Sequence, residues 1–363
     1  MRYFGFSARS LGLSIIMNYL LSTCLPLALV ALLPSQGMAT AQAQEPETTN
    51  LHFKQVKKWD IQLPSESWKT IGSELQIPTG EASGFLVDNG PFKLQIDTDG
   101  NGRLDDVIKG IAGVALLTGQ HSDGSKFQYA VRVRKDQDNW QYACGGIMSG
   151  KVNGVDVSII DQNNNGIWNE VGTDAFIMGK SSAASFLSKV INVKGQLLEF
   201  SVNETGTLAT FSPYQGESGT LNAVAKYNSK GKLTSAVFTS VDGEMSFDLS
   251  EASSGLLVPI NEYQLSSATA AKSVEHVAIR RGGMRGVTVK TGDEMLVEWG
   301  GPLRIEFTNY RSDEENITVN LPSFFGNAEE EYYDFFPGGK SPSILVTDKA
   351  TGKEVWSGKF CES

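Results

Sequence analysis

The chain has 363 residues, 40% of them hydrophobic, and a formal net charge of −10. This hydrophobic content is enough for folded cores and excludes a chain that is disordered by composition. The acidic balance argues against binding to nucleic acid or to anionic lipid, because both depend on a surplus of lysine and arginine. The 38 glycines indicate many tight turns and therefore favour β-structure.

Residues 1–43 have the pattern of an export signal. Arg2 and Arg9 precede a largely apolar stretch from Leu13 to Leu33, and Ala41-Gln42-Ala43 supplies a cleavage motif of small residues. The alternative is an uncleaved membrane anchor, since the apolar stretch approaches spanning length. We expect cleavage, which leaves an exported protein (periplasmic, cell-surface or extracellular) without a membrane span. Losing two arginines from a chain with 31 basic and 41 acidic residues makes the mature net charge −12.

Two cysteines, Cys144 and Cys361, remain after removal of the signal, which takes Cys24 with it. Cysteines of exported proteins can pair, so these two are a disulfide candidate. The bridge would close a loop of 217 residues, to which chain-entropy models assign about 5 kcal/mol of stabilisation. The spacing leaves open whether the two thiols meet.

Short alternating segments between Gly, Asn and Asp turns recur from Leu51 onward, and no segment has a convincing helical period. This pattern predicts an all-β, mainly antiparallel fold. We expect a β-rich domain over residues 44–215 and a small β module over 216–272, ending in a polar linker at Ser266–Lys272. Residues 273–363 have the strand spacing of an immunoglobulin-like β-sandwich. That fold serves unrelated functions, so function has to be sought in particular sites.

The first loop, Asp97–Asp105, follows the alternating segment Phe92–Ile96 and is rich in oxygen donors. Calcium takes six to eight oxygens, and the side chains of alternate residues together with one main-chain carbonyl could supply them: Asp97, Asp99, Asn101, Arg103 (carbonyl) and Asp105. The motif resembles the ion-binding core of EF-hand-like loops and the shorter calcium loops of β-propeller and thrombospondin-type proteins. It departs from the EF-hand at the twelfth position, where Ile108 replaces glutamate. The alternative interpretation is a solvated turn without an ion.

A related motif begins 64 residues later, directly after the apolar segment Val155–Ile160. We call Asp161–Asp174 the second loop. Its predicted ligands are Asp161, Asn163, Asn165 and Asn169, with Asp174 or Glu170 adding charge. Amides replace most of the carboxylates, so we expect weaker calcium binding than in the first loop. The two strand–loop units indicate an internal repeat.

The stretch Phe324–Phe336 mixes aromatic residues with acids. Tyr332 and Tyr333 could stack on a sugar ring beside catalytic or binding carboxylates; the alternative is a core strand preceded by an acidic loop. The three histidines lie far apart without the spacing of a zinc site. No motif pairs a nucleophile with a base, which argues against an enzyme.

The combined prediction is an exported calcium-binding β-scaffold of the cell envelope or surface, with a structural or interaction role. Its partners besides Ca²⁺ would be envelope or surface proteins, or polysaccharide. The architecture and loops resemble those of multi-domain exported bacterial proteins. The alternative function is a calcium-stabilised carbohydrate-binding module or glycan hydrolase.

Overall fold

The computed structural model describes residues 45–77, 84–120, 124–311, 317–338 and 343–359. The chain divides into two units, 1–43 and 44–363, and all described residues belong to the second unit. Every regular element among them is a β-strand, and the strands pair mainly in antiparallel fashion. The all-β prediction is therefore confirmed. The predicted export signal and Cys361 lie outside the described residues.

Seventeen described strands precede residue 215, and they form four sheets. Their bounds are β1 (Glu47–Asn50), β2 (His52–Gln55), β3 (Lys69–Thr70), β4 (Glu74–Leu75), β5 (Phe85–Asn89), β6 (Lys93–Ile96), β7 (Asp106–Lys109), β8 (Ala112–Gln120), β9 (Lys126–Asp136), β10 (Asn139–Cys144), β11 (Gly146–Val152), β12 (Val155–Ile160), β13 (Ala175–Met178), β14 (Ser185–Phe186), β15 (Val190–Val193), β16 (Gln196–Val202) and β17 (Leu208–Pro213). The sheet orders are β1-β17-β16-β15, β3-β10-β9-β8, β14-β13-β12-β11-β2 and β4-β5-β6-β7. Their inward side chains form one hydrophobic cluster that runs from Leu51 to Phe211.

Seventeen described strands follow residue 215, and a second hydrophobic cluster runs from Leu221 to Tyr332 among them. Their bounds are β18 (Ser218–Asn222), β19 (Tyr227–Asn228), β20 (Lys232–Ser240), β21 (Ser246–Asp248), β22 (Leu256–Pro259), β23 (Asn261–Lys272), β24 (Glu275–Arg280), β25 (Val287–Val289), β26 (Glu294–Leu296), β27 (Trp299–Gly300), β28 (Arg304–Glu306), β29 (Asn309–Arg311), β30 (Ile317–Val319), β31 (Ser323–Phe325), β32 (Glu331–Phe336), β33 (Ser343–Thr347) and β34 (Glu354–Lys359). The largest sheet that these strands form has the order β21-β20-β23-β24-β32-β31-β28, with β25 also paired to β23.

The linker predicted at Ser266–Lys272 is wrong, because these residues belong to β23. That strand pairs with β20 along one edge and with β24 and β25 along the other. Alternate residues Ala268 and Ala270 are buried, so the stretch has the two-residue period of a strand although its side chains are small. Strands on both sides of residue 272 therefore share one sheet and one core, and the predicted boundary at 272/273 does not separate two modules.

Each candidate calcium loop connects two neighbouring antiparallel strands. The first loop joins β6 to β7, whose facing ends Ile96 and Asp106 are register partners. The second loop joins β12 to β13, where Ile160 faces Ala175. Closely spaced strand ends hold the two ends of each loop together, which favours a compact loop that surrounds a small space.

Candidate metal-binding loops

The carboxylate of Asp97 organises the first loop. This residue is 1% exposed, and its two oxygens accept hydrogen bonds from the backbone N–H groups two, three, four and five positions along the chain, at 2.8–3.3 Å. Gly100 and Gly102 have φ angles of +70° and +82°, a region that residues with a Cβ rarely adopt. The glycines thus permit the turn that directs several N–H groups toward one carboxylate.

Three carboxylates of the first loop converge. One oxygen each of Asp97, Asp99 and Asp105 lies within 4.8 Å of the others, and the last two side chains are exposed. The N–H and hydroxyl groups of Thr98 donate to Asp105 at 3.0 and 3.1 Å, and the N–H bond is the main cause that lowers the pKa of Asp105. None of the ion pairs between described residues involves these three acids. Their mutual repulsion favours a cation between them.

The other two predicted ligands of the first loop are Asn101 and Arg103. The side-chain oxygen of Asn101 accepts the N–H of Arg103 at 2.9 Å, which fixes the orientation of the fifth-position amide. The side chain of Arg103 is exposed, and the role of its main-chain carbonyl as a ligand stays a prediction.

The second loop repeats the hydrogen bonds of the first at its opening positions. The Asp161 carboxylate accepts the N–H groups of the fifth and sixth loop residues at 3.1 and 2.7 Å, as Asp97 does at 3.2 and 2.8 Å. The fifth-position side chain, Asn165, accepts the N–H of the seventh residue at 2.9 Å. The sixth residue, Gly166, has φ +79°. Both loops therefore share these hydrogen bonds at the fifth, sixth and seventh residues.

The second loop is more deeply buried than the first. Asp161 is fully buried, and one of its oxygens also accepts the hydroxyl of Tyr129 at 2.7 Å. The ring of Tyr129 packs edge to face on Trp168, with the ring centroids 5.9 Å apart. Removal from water raises the pKa of Asp161, because burial penalises its charged form.

The buried Asn164 fastens the second loop to the rest of the first core. Its side-chain oxygen accepts the N–H of Cys144 at 2.5 Å, and its amide nitrogen donates to the carbonyl of Ser67 at 2.7 Å. These partners lie 20 and 97 residues away in the chain. The second loop is thus held by distant strands, whereas the first loop is held mainly by its own backbone.

Asp174 closes the second loop immediately before β13 and is fully buried. One of its oxygens accepts the N–H of Glu170 at 2.9 Å, while the other has no hydrogen-bond partner among the described residues. Burial, aided by the charges of Asp161 and Glu170, raises the pKa of Asp174 to about 8. Asp174 is therefore a buried acid that resists ionisation unless a positive charge lies beside it.

Glu170 forms hydrogen bonds with both Asn163 and Asp174 of the same loop. One Glu170 oxygen accepts the amide nitrogens of Asn163 and Asn165 at 2.8 and 2.5 Å. The side-chain oxygen of Asn163 is buried without a described partner. The ninth-position residue, Asn169, is exposed, whereas its counterpart Asp105 belongs to the carboxylate cluster of the first loop.

Cys144 lies at the end of β10 and is buried. Its thiol donates to the carbonyl of Gly146 at 3.4 Å, and burial raises the pKa of the thiol to about 12. The residue therefore acts in the first core as a packed, protonated side chain beside the second loop. Its predicted partner Cys361 lies outside the described residues, so the disulfide stays a prediction.

The acids of the aromatic stretch have structural partners. Glu330 is fully buried and accepts the N–H groups of Gly300 and Ala328 and the hydroxyl of Tyr332. Its neighbours on either side form ion pairs with arginines: Glu329 with Arg304, and Glu331 with Arg280. Tyr332 is buried and Tyr333 is exposed. Each of the three glutamates therefore has partners within the protein.

Comparisons of the chain with protein-family models, with curated proteins and with solved structures found no match in any of the three. The calcium-loop resemblance therefore rests on the residue pattern and on the geometry given above. Among the described residues, no helix is long and apolar enough to cross a membrane.

Sequence reasoning missed two residues of the second loop's environment. Tyr129, which donates to Asp161, lies 32 residues before it, and Asn164 holds the loop through main-chain groups of distant residues. The inward alternation of β9 indicates that Tyr129 is buried, but no local signal indicates which carboxylate its hydroxyl meets. Such pairs depend on how strands meet in three dimensions.

Proposed function

We propose that this chain is an exported calcium-binding β-scaffold protein of the cell envelope or surface, with a structural or interaction role. The observation that carries the proposal is the convergence of Asp97, Asp99 and Asp105 in the first loop, whose carboxylate oxygens lie within 4.8 Å of one another. The ion pairs formed between described residues leave this charge uncompensated. A bound cation would supply the compensation.

Calcium fits the first loop better than a softer metal. The converging donors are carboxylate oxygens, which are the preferred ligands of hard cations. Two of the three acids are exposed, so water can complete a coordination shell of variable number, as calcium permits. Such a site needs only modest affinity outside the cytoplasm, since a calcium concentration ten times the Kd already stabilises the fold by about 1.4 kcal/mol.

A role in interaction, in addition to scaffolding, is supported by the exposed apolar side chains of the C-terminal strands. Ile305, Phe307, Phe336 and Trp356 are among the large hydrophobic residues that remain exposed. Exposed apolar side chains are available for protein contacts, and exposed aromatic rings also suit polysaccharide. Envelope or surface proteins and polysaccharide are therefore the proposed partner classes.

The calcium proposal is tested by titrating the mature chain with Ca²⁺ and measuring its thermal unfolding with and without a chelator. We expect chelation to lower the Tm. Asp99→Ala removes one carboxylate of the cluster at an exposed position, and should weaken binding at the first loop at least tenfold, an order-of-magnitude expectation from the dependence of affinity on ligand charge.

The matched control is Asp106→Ala. This acid directly follows Asp105 in the chain, and its replacement makes the same change of charge. Its side chain accepts the N–H of Val107, and it is not one of the three clustered acids. The control should bind calcium like the wild type. Equal affinities for Asp99→Ala and wild type, or a Tm that does not respond to chelation, would contradict calcium binding at the first loop.

The export proposal has a separate test. Expression of the full chain in a bacterium with a secretion system, followed by intact mass measurement of the exported product, should give a chain that begins at Gln44. A product that retains residues 1–43 in the membrane fraction would instead favour the uncleaved anchor.

A further inference from the structure

We propose that the second loop holds a hard divalent cation of its own, bound by the carboxylates of Asp161 and Asp174 and by the side-chain oxygen of Asn163. This inference extends the calcium-binding role proposed above. It stands on a different loop and on different observations, so each of the two sites can fail without the other.

Two unpartnered oxygens carry the inference. Of the three buried side-chain polar atoms that lack a partner among the described residues, two belong to this loop: Oδ1 of Asn163 and Oδ1 of Asp174. Buried polar atoms nearly always have a hydrogen-bond partner, because an unmet one loses its hydration without compensation. Asp174 is fully buried, so bulk water does not solvate its free oxygen.

The surrounding bonds hold these oxygens in place. Oδ2 of Asp174 accepts the N–H of Glu170 at 2.9 Å, which leaves Oδ1 as the available atom. The amide nitrogen of Asn163 donates to the Glu170 carboxylate at 2.8 Å, so the amide oxygen points away from that carboxylate. Glu170 therefore acts as a positioning residue that orients Asn163.

A cation would also allow the buried acids of the loop to ionise. Asp161, Glu170 and Asp174 lie in one partly enclosed segment, and no ion pair between described residues includes any of them. The nearby ammonium of Lys69 donates to the main-chain carbonyl of Asn164 at 2.7 Å. A cation bound at the free oxygens would meet the charge that the protein's own groups leave uncompensated.

The donor set selects the class of ion. It consists of two carboxylates and one amide oxygen, without nitrogen or sulfur ligands, and therefore suits a hard cation such as Ca²⁺. The opening positions of the loop have the same hydrogen bonds as those of the first loop, so both loops present their first carboxylate in the same orientation relative to the backbone.

The first experiment counts bound ions. The mature protein is dialysed to equilibrium against a buffer of fixed Ca²⁺ concentration, and the bound calcium per chain is measured as the excess over the dialysate. We expect two ions for wild type, one for Asp174→Asn, one for Asp99→Ala and none for the double variant. If Asp174→Asn binds as many calcium ions per chain as wild type, the second site is overturned. If Asp99→Ala binds as many as wild type, only the first site is overturned.

The second experiment measures a difference in Tm between a variant and wild type, and the sign of this difference depends on whether the loop holds an ion. It remains informative if Asp174→Asn fails to fold. Asn163→Asp adds a carboxylate at the free amide oxygen. With a cation present the extra charge should tighten binding about tenfold, so that chelation lowers the Tm of Asn163→Asp more than that of wild type.

The matched control for the added charge is Asn153→Asp, in the exposed turn between β11 and β12, where the backbone φ of +47° is one that Asp also adopts. Its response to chelation should equal that of wild type. If Asn163→Asp is destabilised equally with calcium and with chelator, the loop holds no cation and the proposal is overturned.

Discussion

The two loops have the same opening design and different surroundings. In both, the first aspartate accepts the N–H groups of the fifth and sixth residues, and the sixth residue is a glycine with φ near +80°. The first loop then gathers exposed acids, whereas the second is buried and leaves one oxygen of Asp174 without a partner. The number of carboxylates in a loop therefore does not by itself decide how much the loop needs a cation.

Sequence alone ranks the first loop above the second, because affinity rises with ligand charge. Burial works in the other direction: a carboxylate removed from water is costly unless a cation or hydrogen bonds replace its hydration. Exposed acids of the first loop can be solvated without an ion, while Asp174 cannot. We therefore expect the second loop to contribute more to stability and the first to exchange its ion more readily.

The largest expected effect comes from removing the first aspartate of each loop. Asp161→Ala leaves the buried hydroxyl of Tyr129 and two N–H groups without their acceptor, and should cost about 4 kcal/mol. Asp97→Ala also frees N–H groups, but these lie beside exposed residues and can bond to water, so we expect about 2 kcal/mol. Urea unfolding in calcium buffer measures both values. Equal costs would mean that burial does not distinguish the loops.

How far the sequence predicts these features depends on the range of the interactions. Alternation within strands and the repeated motif are local, which is why the all-β class and the two loops could be recognised. The bond between Tyr129 and Asp161 joins residues 32 apart, and no residue pattern specifies it. The predicted linker failed for a related reason: the buried Ala268 and Ala270 are too small to mark a strand by hydrophobic alternation.

A smaller effect should follow from Tyr129→Phe, which removes the hydroxyl that donates to Asp161 at 2.7 Å. The acceptor is a carboxylate, so we expect a loss of about 1.5 kcal/mol in the free energy of unfolding. The matched control is Tyr142→Phe, whose hydroxyl donates to the neutral carbonyl of Gln76 at 3.2 Å and should cost about 0.5 kcal/mol. The reverse order of the two costs would show that the Tyr129 bond does not support the second loop.

The smallest effect on calcium binding should come from replacing Glu330, a buried acid that has hydrogen-bond partners. This acid distinguishes the effect of burial from the effect of lacking a partner. Like Asp174 it is fully buried, but both of its oxygens accept hydrogen bonds. Glu330→Gln should therefore leave the calcium count and the response of the Tm to chelation unchanged. A changed count would show that burial of an acid is enough to create a requirement for calcium.

The same variant should alter the dependence of stability on pH. Burial raises the pKa of Glu330 above its ordinary value of 4.5. Between that value and the raised pKa the folded chain binds the proton more tightly than the unfolded chain, so this group makes stability fall as pH rises, by at most about 1.4 kcal/mol per pH unit. Glu330→Gln removes that contribution, and urea unfolding from pH 4.5 upward should show a flatter profile. The pH profile of stability reports the proton bound by the buried acid, whereas the calcium count reports the bound cation. The two measurements together distinguish an acid satisfied by hydrogen bonds from one that needs an ion.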